Sequence, residues 1–258
     1  MPEYRGDSRE FSGSAEKPER MNRIADGWVG AMAKGVTRNP ITLCVTKHPN
    51  EGENNCSRTY QKIRRGYMYM KQKITIRPEE HKDYKHIVSL ILRSFQEGTD
   101  YSDGTDIIAL VEEIRDSKYY IPELSFVAEL DGQVVGHFLF SRFPISPTKE
   151  GGYHDTDAGI VMLAPVSVHA DFLRQGIGTA MLTLGIEKVR EAGYKGITVE
   201  GNYNFYNKVG FRTSSEFGIY PTSGFPLKEP RCMMCQPTYE GSLDGVHGYI
   251  VYDMYFNA

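Results

Sequence analysis

The chain has 258 residues, 40% hydrophobic and 24% charged, which is an ordinary globular composition. It holds no apolar run near the roughly 18–20 residues that span a bilayer, and its net charge of -3 argues against a nucleic-acid partner held by bulk charge. Four cysteines exclude a disulfide scaffold, and Met1 to Arg5 carry no secretory pattern, so the expected partners include neither membrane nor nucleic acid and the expected location is cytoplasmic.

The average charge hides two unlike parts. Residues 1–69 carry 12 Lys/Arg against 8 Asp/Glu, whereas residues 70–258 carry 18 against 25. The first part is rich in Gly, Asn, Ser, Arg and Pro, and its one notable apolar stretch, Ile41 to Val45, suffices for one short strand and no core. Residues 1–69 therefore read as an extension, either a disordered basic arm or the product of a misassigned start codon. Residues 70–258 read as one domain.

Periodic segments begin at Ile74-Thr75-Ile76, a strand ending at Arg77-Pro78. Ile87, Leu90, Ile91 and Phe95 recur at three- and four-residue steps and predict a helix over 79–95. Ile107, Leu110, Val111 and Ile114 form the stripe of a second helix, from about Thr105 to Ser117. Leu124 to Leu130 and Gln133 to Phe140 are strand-like, and the Asp131-Gly132 pair between them is a hairpin signal. Ala158 to Val168 reads as a third long strand. Gly176 to Ala192 reads as a helix, which Gly193 stops. A short strand over Gly196 to Glu200, a short helix near Tyr203 to Lys208, and strands near Cys232 to Tyr239 and Gly248 to Tyr255 complete the order. This is a mixed α/β sheet with a long antiparallel section.

The segment from Val166 to Ala180 carries the most chemistry. A strand ends, a loop of about seven residues follows, and a helix begins at Gly176-Ile177-Gly178. Unpaired N–H groups at that helix start, the helix dipole and Arg174 together suit a pyrophosphate. One reading is a dinucleotide site, with Glu200, 22 residues past Gly178, as the ribose acid; against it, Met181 stands where the third glycine belongs. The other is a coenzyme A site. A helix start with glycines for packing alone is the third.

The Gly176-x-Gly178 turn after a strand resembles the acyl-CoA signature of the GNAT superfamily of N-acetyltransferases. Leu173 and Ala170 depart from it, where the family commonly has Gln or Arg and Pro. Tyr206-Asn-Lys-Val-Gly210-Phe211 is similar to the family's Tyr-x-x-x-Gly-Phe, and Ile76-Arg77-Pro78 and Val134-Val135-Gly136-His137 also fit. The ending, Gly241 to Tyr252, resembles the branch of predicted bacterial N-acetyltransferases of the YhbS type. The resemblance covers 70–258. It implies an α+β fold, a mainly antiparallel sheet flanked by helices in a single domain, with the N-terminal extension outside it. It also implies acetyl-CoA as co-substrate and a small-molecule or peptidyl amine as acceptor, attacked directly in a ternary complex. Homodimers are common in the superfamily.

On that basis, Arg174, Gln175, Gly176, Ile177, Gly178 and Thr179 would hold the pyrophosphate through backbone amides. The strand Val166-Ser167-Val168 would pair with the pantetheine arm, and the Val168 N–H would polarise the thioester carbonyl. Tyr206 would protonate the leaving thiolate. Glu200, on the side of its strand opposite Ile197 and Val199, is the candidate base, with His137 and His169 behind it. The alternative function is an acyl-CoA-binding module of the same fold without turnover. Tyr101, Tyr119, Tyr120, Tyr153 and His154 are candidates to line an acceptor cleft. Cys232-x-x-Cys235 invites a metal reading, but residues three apart on a strand face opposite ways, so buried thiols are expected and no metal.

Overall fold

The computed structural model describes residues 41–46, 71–96, 103–149, 158–221 and 229–250. Its elements are β1 (Ile41–Thr46), β2 (Lys71–Pro78), α1 (Tyr84–Gln96), α2 (Thr105–Asp116), β3 (Tyr120–Leu130), β4 (Gln133–Arg142), β5 (Ile145–Ser146), β6 (Ile160–Val168), α3 (Ile177–Glu191), β7 (Gly196–Glu200), α4 (Tyr203–Tyr206), β8 (Arg212–Thr213), β9 (Ile219–Pro221), β10 (Met233–Pro237) and β11 (Gly248–Ile250). One sheet runs in the order β1-β2-β3-β4-β6-β7-β10-β8, and a small one in the order β5-β11-β9. In the large sheet every pairing is antiparallel except β6 with β7.

The periodicities decide the layers. Ile87, Leu90 and Ile91 of α1 and Val111 and Ile114 of α2 are buried. Four of these join Val127, Leu139, Met162, Met233 and Cys235 in a core on one sheet face. On the other face Ile177, Met181, Leu182 and Val189 of α3 meet Phe126, Phe138, Phe140, Ile197 and Val199. Burying each large side chain of this kind contributes about 1.5–3 kcal/mol. α3 sits close: a Cβ on Gly185 would lie 2.7 Å from the Phe138 ring and 2.9 Å from that of Phe140, so only glycine lets the helix reach the sheet here.

Several boundaries differ from the sequence reading. The first helix begins at Tyr84, after a 3-10 turn over His81–Asp83, because Asp83 turns inward to bond the Glu80 N–H and the Arg77 guanidinium. β3 begins at Tyr120 rather than Leu124, with a register shift between Tyr120 and Ser125 that accommodates Pro122. Cys232 lies in a 3-10 turn, and the strand starts only at Met233. β5, β8 and β9, two or three residues each, are additions. Ile41–Thr46 forms the edge strand, paired with β2 from Ile41↔Ile76 to Thr46↔Lys71.

Candidate active site

The site begins where the β6–β7 ladder ends. β6 and β7 pair at Ile160↔Gly196, Val161↔Ile197 and Met162↔Thr198, and no further. Beyond that point β7 follows β10, with Val199 opposite Met234 and Glu200 opposite Met233. β6 follows β4, with Val166 opposite Phe138, Ser167 opposite His137 and Val168 opposite Gly136. The two strands splay apart. β6 also carries one extra residue between Val166 and Leu163, where β4 advances from Phe138 to Phe140. That bulge falls at Ala164-Pro165, whose peptide is cis.

The splay leaves backbone groups of β6 aimed into an opening. The His169 N–H donates to the Val135 carbonyl at 2.9 Å, towards β4. Peptide groups alternate along a strand, so the N–H groups of Val168 and Val166 point the other way, into the opening. The Val168 carbonyl shares that direction and accepts a hydrogen bond from the Ser94 hydroxyl of α1 at 2.9 Å.

The glycine turn lies past the C-terminal tip of β6. Arg174 and Gly176 both adopt left-handed backbone, at φ 60° and 86°. No side chain caps the start of α3, so its first N–H groups face outward. A Cβ on Gly176 would meet nothing within 4 Å. The turn is exposed, with amides at an uncapped helix start and the Arg174 cation beside them, which suits a pyrophosphate. Ile177, fully buried, anchors the helix start in the core. Gln175 is buried, and its Nε2 donates to the Asp171 carbonyl, bracing the loop from inside. Thr179 is exposed on the first turn. A Cβ on Gly178 would stand 3.1 Å from Phe205 and 3.7 Å from Val168, so α3, α4 and β6 converge at this point.

Tyr206 is buried on the α3 side. Its ring centroid lies 5.0 Å from that of Phe205 and 5.6 Å from that of Phe211, and a Cβ on Gly201 would touch its ring at 2.8 Å. Burial pushes its phenol well above the usual range, so it is held protonated. Glu200 is exposed at the end of β7. It lies on the face of Thr198 and Cys235, opposite that of Ile197 and Val199. Tyr206 and Glu200 thus lie on opposite faces of the sheet.

The remaining candidates separate. His169 Nδ1 accepts from the Asp171 N–H at 3.3 Å and caps a local turn. Tyr119 is core, and the Tyr120 hydroxyl donates to Glu79 at 2.7 Å. Tyr101, Tyr153 and His154 lie outside the described residues. Cys232 and Cys235 are unbridged thiols, and burial pushes that of Cys235 up to about 12. No cluster of metal-ligating side chains occurs among the described residues.

His137 is not isolated. It is fully buried, and its Nε2 lies 3.0 Å from Glu79. The Glu79 carboxylate also accepts two hydrogen bonds from Arg115, at 3.0 and 2.8 Å, and one from Tyr120. Burial alone would raise the Glu79 carboxyl, but these partners, His137 and Arg115 foremost, hold it far below the usual range. Glu79, Arg115 and Ser94 carried no local sequence signal, since their partners lie 36 to 74 residues away in the chain.

The Acetyltransferase (GNAT) family profile matches residues 86–211, from α1 through the end of this site. The Escherichia coli K12 protein YjhQ, an uncharacterized N-acetyltransferase, is 30% identical over 139 residues, covering 53% of this chain and 71% of its own. The chain belongs to the GNAT acetyltransferase family. The E. coli protein YhbS, also an uncharacterized N-acetyltransferase, is 26% identical over 186 residues, 70% of this chain and 98% of its own. Its crystal structure in complex with CoA superposes with a TM-score of 0.61 at 25% identity, covering 75% of this chain and 97% of that one. A Brucella melitensis GNAT acetyltransferase in complex with acetyl-CoA gives 0.54 at 27%, covering 71% and 97%. No helix among the described residues is long and apolar enough to cross a membrane.

Proposed function

We propose that the chain is an acetyl-CoA-dependent N-acetyltransferase that moves the acetyl group to a primary amine by direct attack in a ternary complex. The observation that carries this is the edge of β6 that, past Met162, pairs with no strand on the β7 side among the described residues, ahead of an uncapped helix start. An extended arm can complete the ladder along Val166-Ser167-Val168, as an added strand does, while its phosphates rest on the amides of Arg174 to Thr179. The CoA and acetyl-CoA held by the two related structures support this assignment.

Acetyl-CoA supplies an acyl group on a good leaving thiol. The N–H groups of Val166 and Val168 line the opening; one pairs with the arm and the other polarises the thioester carbonyl, a donor worth about 3–4 kcal/mol in the transition state. Tyr206 donates a proton to the departing thiolate. Glu200, at the mouth on β7, receives the incoming ammonium and takes its first proton, directly or through water. The excess of acid in residues 70–258 favours a cationic acceptor.

The test is thiol release from acetyl-CoA with a panel of a polyamine, an aminoglycoside and a lysyl peptide. Tyr206→Phe should bind acetyl-CoA as the wild type does and lose at least about 100-fold in kcat. An unchanged kcat removes its acid role. Tight acetyl-CoA binding without thiol release on any amine favours a binding module.

A further inference from the structure

Two polar atoms beside the opening have no hydrogen-bond partner among the described residues: His137 Nδ1 and Ser167 Oγ. Both residues are buried, at 0% and 2% exposure. They stand directly opposite each other on β4 and β6. Opposite residues of an antiparallel pair share a face, so both side chains lie on the α1/α2 side, where Nε2 of the same imidazole meets Glu79. Buried polar atoms left without partners are rare and costly, and two together call for a bridging water or a function.

The hydrogen bonding fixes the tautomer. An ionised Glu79 can only accept, so Nε2 carries the proton and Nδ1 is the imidazole's acceptor. Burial keeps the ring neutral by lowering its pKa, against the opposing pull of Glu79. The ring's charged surroundings are Glu79 and Arg115, with Tyr120 bonded to the same carboxylate and Asp83 further off. Glu79 pulls harder on the ring than Arg115 does, but burial outweighs both and leaves a neutral base. Ser167 lies between Val166 and Val168, whose N–H groups face the opening, so its hydroxyl stands across the ladder from His137 on the strand that lines the opening.

We propose that Ser167, a bridging water, His137 and Glu79 form a buried relay that removes the second proton of the acceptor nitrogen. This rests on the acetyl-transfer reading above. An alkylammonium loses its first proton to Glu200 at the mouth. The amine lone pair then attacks the thioester carbon, and the C=O pair moves onto oxygen. The new N–H proton passes to Ser167 Oγ, the hydroxyl proton to the water, and a water proton to His137 Nδ1. Collapse re-forms C=O and breaks C–S, and the thiolate takes the Tyr206 proton. After release, Glu200 and His137 each return a proton to solvent and Tyr206 regains one, so the sum is one amide, one thiol and one proton per ammonium. The imidazolium formed is stabilised by the carboxylate already on Nε2. Ser167 touches the reacting nitrogen; His137 and Glu79 act through it.

The decisive variant is Ser167→Ala in the full-length protein, because it deletes only an unpartnered hydroxyl and leaves the fold at least as stable. On an amine for which the wild type releases thiol, Ser167→Ala should lower kcat at least tenfold. The KM for acetyl-CoA and the thermal midpoint should stay put. The wild-type kcat should fall on the acid side below the ordinary imidazole value of 6.5, and Glu200→Gln should raise the acceptor KM while keeping that acid limb. A wild-type kcat in Ser167→Ala, or an acid limb abolished by Glu200→Gln, overturns the relay and leaves acetyl transfer standing. Acetyl-CoA binding by the wild type with no thiol release on any amine overturns the transfer reading, and the relay with it. His137→Gln is the supporting variant: its folded fraction should match the Ser167→Ala loss, and a wild-type kcat in that fraction also overturns the relay.

Discussion

The two halves of β6 are built from similar residues and do opposite work. At Val161 and Met162 the strand is paired on both sides, to β4 and to β7, and packed on both faces. From Val166 to Val168 it keeps β4 and loses β7. The first half is a core strand; the second presents N–H groups to an opening. On the proposed reading, function comes from a ladder that stops, not from an added module. Changes in the closed half should therefore move stability and spare chemistry, and changes in the open half should do the reverse.

The largest stability effect is expected in the α3 layer that covers β4 beside β6. Gly185→Val places a branched side chain where even a Cβ would meet two phenylalanine rings under 3 Å. Overpacking of this kind costs about 3 kcal/mol. A denaturant melt should show that loss, while acetyl-CoA affinity in the folded fraction is unchanged. Equal losses in both would mean that the α3 layer and the open edge of β6 are not separable.

At the open half, Gly176→Val has room for its side chain but not for its backbone. Its φ of 86° is strained for a branched residue by about 1–2 kcal/mol, and relief of that strain closes the amide cradle. Acetyl-CoA affinity should fall about tenfold, equivalent to about 1.4 kcal/mol, as measured by calorimetry. Gly176→Val with intact affinity would place the phosphates elsewhere.

The open half was also the more legible in sequence. The Gly176-x-Gly178 turn and the Tyr206 to Phe211 motif are local patterns, and a helix start needs only its own residues. The stripes of α1, α2 and α3 were legible for the same reason. The network around Glu79 was not. Residue 79 fell inside a predicted helix, yet it sits before the 3-10 turn and points inward to partners at positions 115, 120 and 137. Those contacts depend on the sheet register, which no local period encodes. The short strands β5, β8 and β9 escaped notice because two or three residues show no alternation, and only their distant partners make them strands. His137 drew attention only as a lone histidine, since its value lies in what faces it across β3, β4 and β6.

The buried network gives the comparison a pH signature. His137 has a lowered pKa when folded, so below about 6.5 the unfolded chain binds a proton that the folded chain resists. Stability is then lost as pH falls through that region, at up to about 1.4 kcal/mol per unit for one proton. Glu79, also lowered, adds a further loss below the usual carboxylate range of about 4.5. Thermal midpoints between pH 7.5 and 5 should decline, and His137→Asn should flatten the decline. A wild-type midpoint flat over that interval would mean that the imidazole is already solvated.

The smallest effect tests the seam between the halves and the helical layer. Ser94 lies in the last turn of α1, and its hydroxyl, 2.7 Å from the Leu90 carbonyl of its own helix, also reaches the Val168 carbonyl. One proton shared between two acceptors makes each bond weaker than an undivided one, so the net contribution is about 1 kcal/mol or less. Val168 is the residue whose N–H faces the opening; its carbonyl belongs to the next peptide plane, shared with the His169 N–H, so the bond holds Val168 extended and aligns its N–H only through that conformation. Ser94→Ala should reduce kcat a few-fold and barely move the thermal midpoint, because the helix keeps its backbone ladder. Ser94→Thr retains the hydroxyl and should restore most of the loss. If Ser94→Ala weakens acetyl-CoA binding and kcat to the same degree, the bond serves binding of the arm rather than polarisation of the thioester.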